Sequence, residues 1–250
     1  MLVKTQGIVF RNIHFGESSV ILHVFTEDFG LQSYIIHQAR KRKTQISPNV
    51  LQALHFVELV AYQKASGDLH KIKEIKNSPH HQEIGFDIVK TSVALFLDEV
   101  LIKAVRQNQK DTALYQFLTN SLSWLDSSRD GMANFPILFL AKLTRFLGFY
   151  PSKSLIFEKF SSSTNIYFDL KNGVFLMEAP SHPDYIENPI ASKIYTILEL
   201  NFEQAQEFKL AKEERSIILN VFLKYYALHT DGFHSFQSLS ILNQVFEGDY

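Results

Sequence analysis

Hydrophobic and polar positions alternate through the first third of the chain, and beyond it the period lengthens to that of helices. Gly7-Ile8-Val9-Phe10-Arg11, Ser19-Val20-Ile21-Leu22-His23-Val24-Phe25 and Leu31-Gln32-Ser33-Tyr34-Ile35-Ile36-His37 each read as a strand, with Gly16 and Gly30 marking turns. In Val57-Glu58-Leu59-Val60-Ala61-Tyr62, the residues Val57, Leu59 and Ala61 share a face. In Leu69-His70-Lys71-Ile72-Lys73-Glu74-Ile75, a period of two points Lys71 and Lys73 the same way. Five strands with almost no helix between them predict a small β-barrel. Ser47-Pro48 predicts one short helical turn ahead of the fourth strand.

Ser78-Pro79 reads as a helix start, followed at helical spacing by Phe86, Val89, Val93, Phe96, Leu97, Val100 and Leu101. Asp111 can cap a second helix, and a third runs from about Asn134 to Leu147 before Gly148 and Pro151 stop it. Between them and the next helix, Ile166–Leu170, Lys171-Asn172-Gly173 and Val174–Met177 predict a hairpin, with Asn-Gly suited to a type I′ turn. Asn188-Pro189 opens a fourth helix. Glu213-Glu214 sit in the first turn of a fifth, where negative charge suits the helix dipole. A short last helix spans Ser238–Phe246. The expected architecture is α+β. A five-stranded barrel covers residues 1–78, a helical domain covers 79–151 and 186–250, and a β-hairpin module is inserted at 152–185.

Apolar content of 46% and charged content of 20% suit a folded soluble chain with a sizeable core. Apolar runs stay well short of a membrane span and no signal-peptide pattern opens the chain, so a cytosolic protein is expected. Cysteine is absent, which excludes disulfides and thiolate metal sites. The net charge of −1 conceals a division. Residues 1–80 carry ten Lys and Arg against six Asp and Glu, a net of +4, and the remainder is acidic by five. A basic head on an acidic body suits a polyanion ligand joined to a protein-contacting domain.

Enzyme signatures fail. Gly16-Glu17-Ser18-Ser19 lacks the closing glycine of a nucleophile elbow and precedes a strand. No phosphate-cradling glycine loop occurs, His80-His81 lacks metal-site spacing, and Asp98-Glu99 are helix neighbours that diverge. Nucleic-acid features are better. Arg40-Lys41-Arg42-Lys43 follow the third strand, Arg11 ends the first, and Lys71 and Lys73 line the fifth. Small barrels hold single strands by pairing such cations with stacking aromatics, for which Tyr34 is the candidate. On the third helix, Lys142 and Arg145 beside Phe146 could rim a groove for an acidic, hydrophobic peptide. An adaptor whose barrel serves assembly, without direct DNA binding, is the rival reading.

These residues in this order resemble the RecO family of bacterial recombination mediators. The resemblance rests on Gly7–Arg11, Phe15-Gly16-Glu17-Ser18-Ser19-Val20-Ile21-Leu22, Val24-Phe25-Thr26-Glu27, Gly30, Ala39-Arg40, Leu51-Gln52 and Leu147-Gly148-Phe149. It implies that the barrel is an OB-fold, that the protein binds single- and double-stranded DNA without turnover, and that it anneals complementary strands. It further implies pairing with RecR, contact with the acidic tail of single-stranded-DNA-binding protein, help in loading RecA, and a nucleoid-associated cytoplasmic location. Many members of the family carry a four-cysteine zinc module where this chain has residues 152–185. With no cysteine here, neither zinc nor any other cofactor is carried over.

Overall fold

The computed structural model describes residues 1–37, 48–63, 67–78, 84–105, 110–152 and 165–247. The chain packs into two compact units, one of Met1–Ser127 with Phe236–Tyr250 and one of Ser128–Ser235. The first unit opens with β1 (Leu2–Phe15), β2 (Ser19–Thr26), β3 (Gly30–Ile36), β4 (Phe56–Tyr62) and β5 (Leu69–Asn77), closed into a barrel in the order β1-β2-β3-β5-β4. Closure leaves no open sheet edge. β1 has two neighbours in succession. Leu2–Ile8 pairs with β4, Gly7–Phe15 pairs with β2, and a bulge between Val9 and Arg11 follows just after the last β4 pair. The extra residue sharpens the twist, so that one strand turns the barrel's corner. Val9, Leu22, Val24, Val57 and Leu59 fill the interior with no exposed surface.

The helices among the described residues are α1 (Ile88–Ala104), α2 (Thr112–Ser127), α3 (Phe135–Phe146), α4 (Ile190–Glu199), α5 (Phe202–Glu207), α6 (Lys212–His229) and α7 (Ser238–Glu247). α1 does not start at Ser78-Pro79. The Ser78 N–H still belongs to the barrel, donating to the Phe56 carbonyl, and the helix is capped by Asp87, whose carboxylate accepts the Lys90 N–H at 2.9 Å. His80 and His81 lie outside the described residues. Asp111 caps α2 through the Leu114 N–H at 2.8 Å, as its spacing predicts. α1 is apolar on nearly every side because it packs against both β1 and α7. Glu99 on α1 holds the start of α7, accepting from the Gln237 N–H at 3.2 Å and from the Ser238 N–H at 3.0 Å and hydroxyl at 2.6 Å.

In the second unit α3, α4 and α6 pack together beside a small sheet. Its strands are β6 (Tyr167–Asp169), β7 (Val174–Leu176) and β8 (Tyr185–Glu187), in the order β7-β6-β8. The inserted hairpin is therefore a three-stranded antiparallel sheet. Its loop is not the two-residue type I′ turn that Asn-Gly predicts. Asp169 pairs with Val174 across four intervening residues. The Asp169 carboxylate organises that loop, accepting from Lys171 N, Asn172 N and Asn172 Nδ2 at 2.9, 3.0 and 2.7 Å. No helix among the described residues is long and apolar enough to cross a membrane.

Candidate nucleic-acid interface

Strand register places the candidate cations. Arg11 lies opposite His23, His23 opposite Ser33, and Ser33 opposite Leu69. Two residues further along, Ile13, Ile21, Ile35 and Lys71 form the next row. Residues paired across strands point to the same side of the wall, so Arg11 and Lys71 both point out of the barrel, on strands separated by β2 and β3. Phe15 and Ile13 continue that face and are 55% and 37% exposed. Ser19, opposite Phe15, bonds His37 at 3.4 Å where β3 ends. Arg40, Lys41, Arg42 and Lys43 follow directly in the chain but lie outside the described residues.

Lys73 is exposed for a different reason from the expected alternation. Its strand carries the extra residue of a bulge, since Ile72 pairs with Ala61 but Glu74 with Val60. Lys73 and Glu74 both point outward and approach to 3.9 Å, an exposed pair of little net strength. His23 is half-buried in the first row and bonds the Ser33 hydroxyl at 3.1 Å. Burial first, and then the charge of Arg11, holds its imidazole below the ordinary histidine value, which favours the neutral form. On α1, burial pushes the Asp98 carboxyl well up, Arg11 opposes that rise, and neighbouring Glu99 adds to it. Arg11 is therefore the cation of this face with a carboxylate in its field.

Tyr34 requires a correction. It sits on the inner row between Leu22 and His70 with no exposed surface, its ring 5.6 Å from that of His70. Burial pushes its phenol up to about 12. It is a core residue with no face to offer a base. The aromatic rings that do stand exposed on the outside of the barrel are Phe15 and Tyr62, the latter paired with Lys71, and the odd-numbered series Arg11, Ile13, Phe15 is the sequence pattern that marks the first.

In the second unit, Lys142 is also largely committed. Its Nζ donates to the Leu198 carbonyl at 2.9 Å at the end of α4, where the Tyr150 hydroxyl donates to the same oxygen at 2.9 Å. Burial first and Arg145 second lower its ammonium below the ordinary lysine value. Arg145 is exposed, with its guanidinium 4.6 Å from the centre of the Tyr150 ring, and Phe146 is half-buried. Lys142 is therefore a helix-end ligand, and Arg145 with Tyr150 forms the accessible part of the predicted rim.

The residues at the position of the family's zinc module do not fit that metal. No thiolate is present. Asp169 is occupied by its loop, and His182, 3.3 Å from it, accepts the Asp184 N–H through Nδ1. No group of three His, Asp or Glu among the described residues could hold a metal ion.

A closed five-stranded barrel, followed by a helical body with a small inserted sheet, is an OB-type architecture. Residues 1–78 match the family described as "Recombination protein O N terminal", and residues 85–236 match "Recombination protein O C terminal". The chain is 32% identical over 247 residues to "DNA repair protein RecO" of Azobacteroides pseudotrichonymphae, covering 99% of this chain and all of the relative. It is 34% identical over 248 residues to the protein of that name from Flavobacterium johnsoniae, covering 98% and all of it. With that of Bacteroides fragilis it shares 32% over 248 residues, covering 99% and all of it. The chain belongs to the RecO family of DNA repair and recombination proteins.

Proposed function

We propose that this protein is a recombination mediator that acts by binding DNA without catalytic turnover. The observation that carries the reading is that Arg11 and Lys71 are both exposed on the outside of the barrel, whose third strand ends where the Arg40–Lys43 run departs. On this reading Arg11, Arg40, Lys41, Arg42, Lys43, Lys71 and Lys73 neutralise phosphates of single- and double-stranded DNA. Holding two complementary strands on one cationic surface screens their repulsion, which promotes annealing with no active site. Arg145 and Phe146 meet the acidic tail of single-stranded-DNA-binding protein. RecR is the partner with which the protein loads RecA.

The apolar part of the same face, Ile13 and Phe15, favours a second reading in which the barrel contacts protein rather than DNA. Salt-dependent titration with labelled single-stranded DNA separates the two. Each lost phosphate contact flattens the dependence of log K on log salt by about 0.7, so Arg11→Gln/Lys71→Gln/Lys73→Gln flattens it by about 2. An unchanged slope in that variant removes these three residues from the interface. Absence of salt-dependent binding in the parent protein selects the adaptor.

A further inference from the structure

The first unit contains a cavity of about 770 Å³ beneath the second half of β1, a size typical of ligand sites. It opens where β1 parts from β4 beyond Ile8, and the chain after the turn Pro48–Leu51 (a 3-10 helix) forms one wall. Two backbone bonds tie that wall to β1, from Leu54 N to the Val9 carbonyl at 2.6 Å and from Val9 N to the His55 carbonyl at 2.9 Å. Leu54 is buried and adopts a φ of 56°, a left-handed conformation costly for leucine that tends to persist where a site requires it. Ile84, Ala94 and Leu95 supply an apolar wall opposite.

Two properties of the lining narrow its ligand. First, the described residues that line it include no Asp, Glu, Lys or Arg, so they suit an uncharged group. Secondly, Gln52, His55 and Asn77 bring hydrogen-bonding side chains to the lining. Asn12 spends its amide N–H on the Leu51 carbonyl at 2.6 Å and keeps its oxygen. Burial holds the His55 imidazole below its ordinary value, so its neutral form presents one donor and one acceptor. Amides and a neutral imidazole on an apolar cleft match the mixed donor and acceptor edge of a nucleobase. At the mouth, Phe86 is 84% exposed, a ring face available for stacking.

We propose that this cavity takes one unpaired nucleobase from a strand whose phosphates run along the face of Arg11. The proposal rests on the DNA-binding reading and adds that the protein reads bases as well as charge. Arg11 and Asn12 are consecutive on β1 and point to opposite faces, so a strand that meets both crosses the edge of β1 that has no β4 partner beyond Ile8. Withdrawing a base from its stack leaves its pairing edge held by protein, a state from which a homologous strand can replace the protein's contacts. An apolar peptide side chain is the competing occupant, and the test below separates it.

The experiment compares the full chain's affinity for a single-stranded oligonucleotide and for an abasic oligomer of equal length and charge. A base that stacks and bonds is worth roughly 5- to 150-fold in affinity, and the parent protein should show that preference. In Gln52→Ala/Asn77→Ala, both exposed positions, the preference should fall toward one while the salt slope stays unchanged. Gly85→Leu is a second, independent block, since even a Cβ there would lie 3.1 Å from the Gln52 amide oxygen. A preference retained in both folded variants overturns the proposal. If neither oligomer binds in a salt-dependent way, the DNA reading itself has failed. Saturation-transfer NMR with free adenosine then decides the cavity alone. Transfer in the parent protein and its loss in Gly85→Leu supports the nucleobase. Absence of transfer in the parent, or transfer that persists in the variant, refutes it and leaves the apolar peptide.

Discussion

The substitution Gly173→Ala isolates how the inserted sheet is held to α6. Gly173 closes the β6–β7 loop with a φ of +65°, a conformation that costs a residue with a Cβ about 1–2 kcal/mol. A Cβ there would also lie 2.5 Å from the Tyr225 hydroxyl oxygen, inside any permitted contact. That hydroxyl donates to the Phe149 carbonyl at 2.6 Å, and Tyr225 is buried, so moving it breaks a bond that water cannot replace. The loss adds about 1–3 kcal/mol, for a total of about 2–5 kcal/mol. Gly148 is the control. It lies in the same unit with a φ of +86° and has nothing within 4 Å of its Cβ position, so Gly148→Ala carries only the backbone cost. At about 2–4 °C per kcal/mol for a chain of this size, Gly148→Ala lowers the melting temperature by roughly 2–8 °C and Gly173→Ala by about twice as much or more. Circular dichroism melts at several scan rates provide the measurement. Tyr225→Phe supplies a second check, because removing the oxygen leaves the ring carbon at an ordinary 3.5 Å. It should therefore cost less in the Gly173→Ala background than alone. Equal losses at the two glycines, or additive effects with Tyr225→Phe, refute the reasoning.

Asp98→Asn should stabilise the first unit at neutral pH. A carboxyl raised by burial contributes stability only below its unfolded value and loses it as pH rises through the folded one, so the gain should grow from acid to neutral. Melts across that range that show no growing gain count against it. Glu99→Gln should destabilise α7 by about 1.5–3 kcal/mol, since a charged acceptor of the Ser238 and Gln237 bonds is lost. Burial pushes the Glu99 carboxyl up, but those bonds and Lys103 outweigh it and hold it below the ordinary value. Its contribution is complete above the ordinary glutamate range and disappears as pH falls through the depressed folded value, which hydrogen exchange of α7 amides can follow. Lys142→Met should cost about 0.5–1.5 kcal/mol of stability and leave binding of an acidic peptide unchanged. Arg145→Ala should do the reverse, by calorimetry.

What was legible in the chain follows from which interactions are local. The strand Ser19–Thr26 alternates buried and half-buried positions over most of its length, so its existence and its face could both be read. In Leu31–Ile36 apolar residues stand on both parities, because both faces of β3 are covered, and a period of two then names no inner side. That is why Tyr34 could be taken for a surface ring. Ser78-Pro79 carries every local mark of a helix start, yet the Phe56 carbonyl, a partner more than twenty positions away, claims the Ser78 N–H. Lys142 shows the same limit. Helical spacing puts it on the rim of an amphipathic face, whereas the carbonyl it meets belongs to a helix end read from a different part of the chain. The cavity beneath β1 was hidden altogether, since its described lining comes from five separated stretches and no spacing rule connects Asn12 with Gln52 or Asn77.

The first unit is assembled from both ends of the chain, with α7 lying on α1 after the whole second unit has intervened. During synthesis the barrel and α1 leave the ribosome early, whereas the helix that covers α1 leaves only after Ser128–Ser235. The newborn head must wait, with part of its core open, for the remainder of the polypeptide. A pause or break anywhere in Ser128–Ser235 would therefore strand a barrel that has every strand it needs and still lacks its final cover. The barrel half of the protein is completed by a helix made only after the second unit.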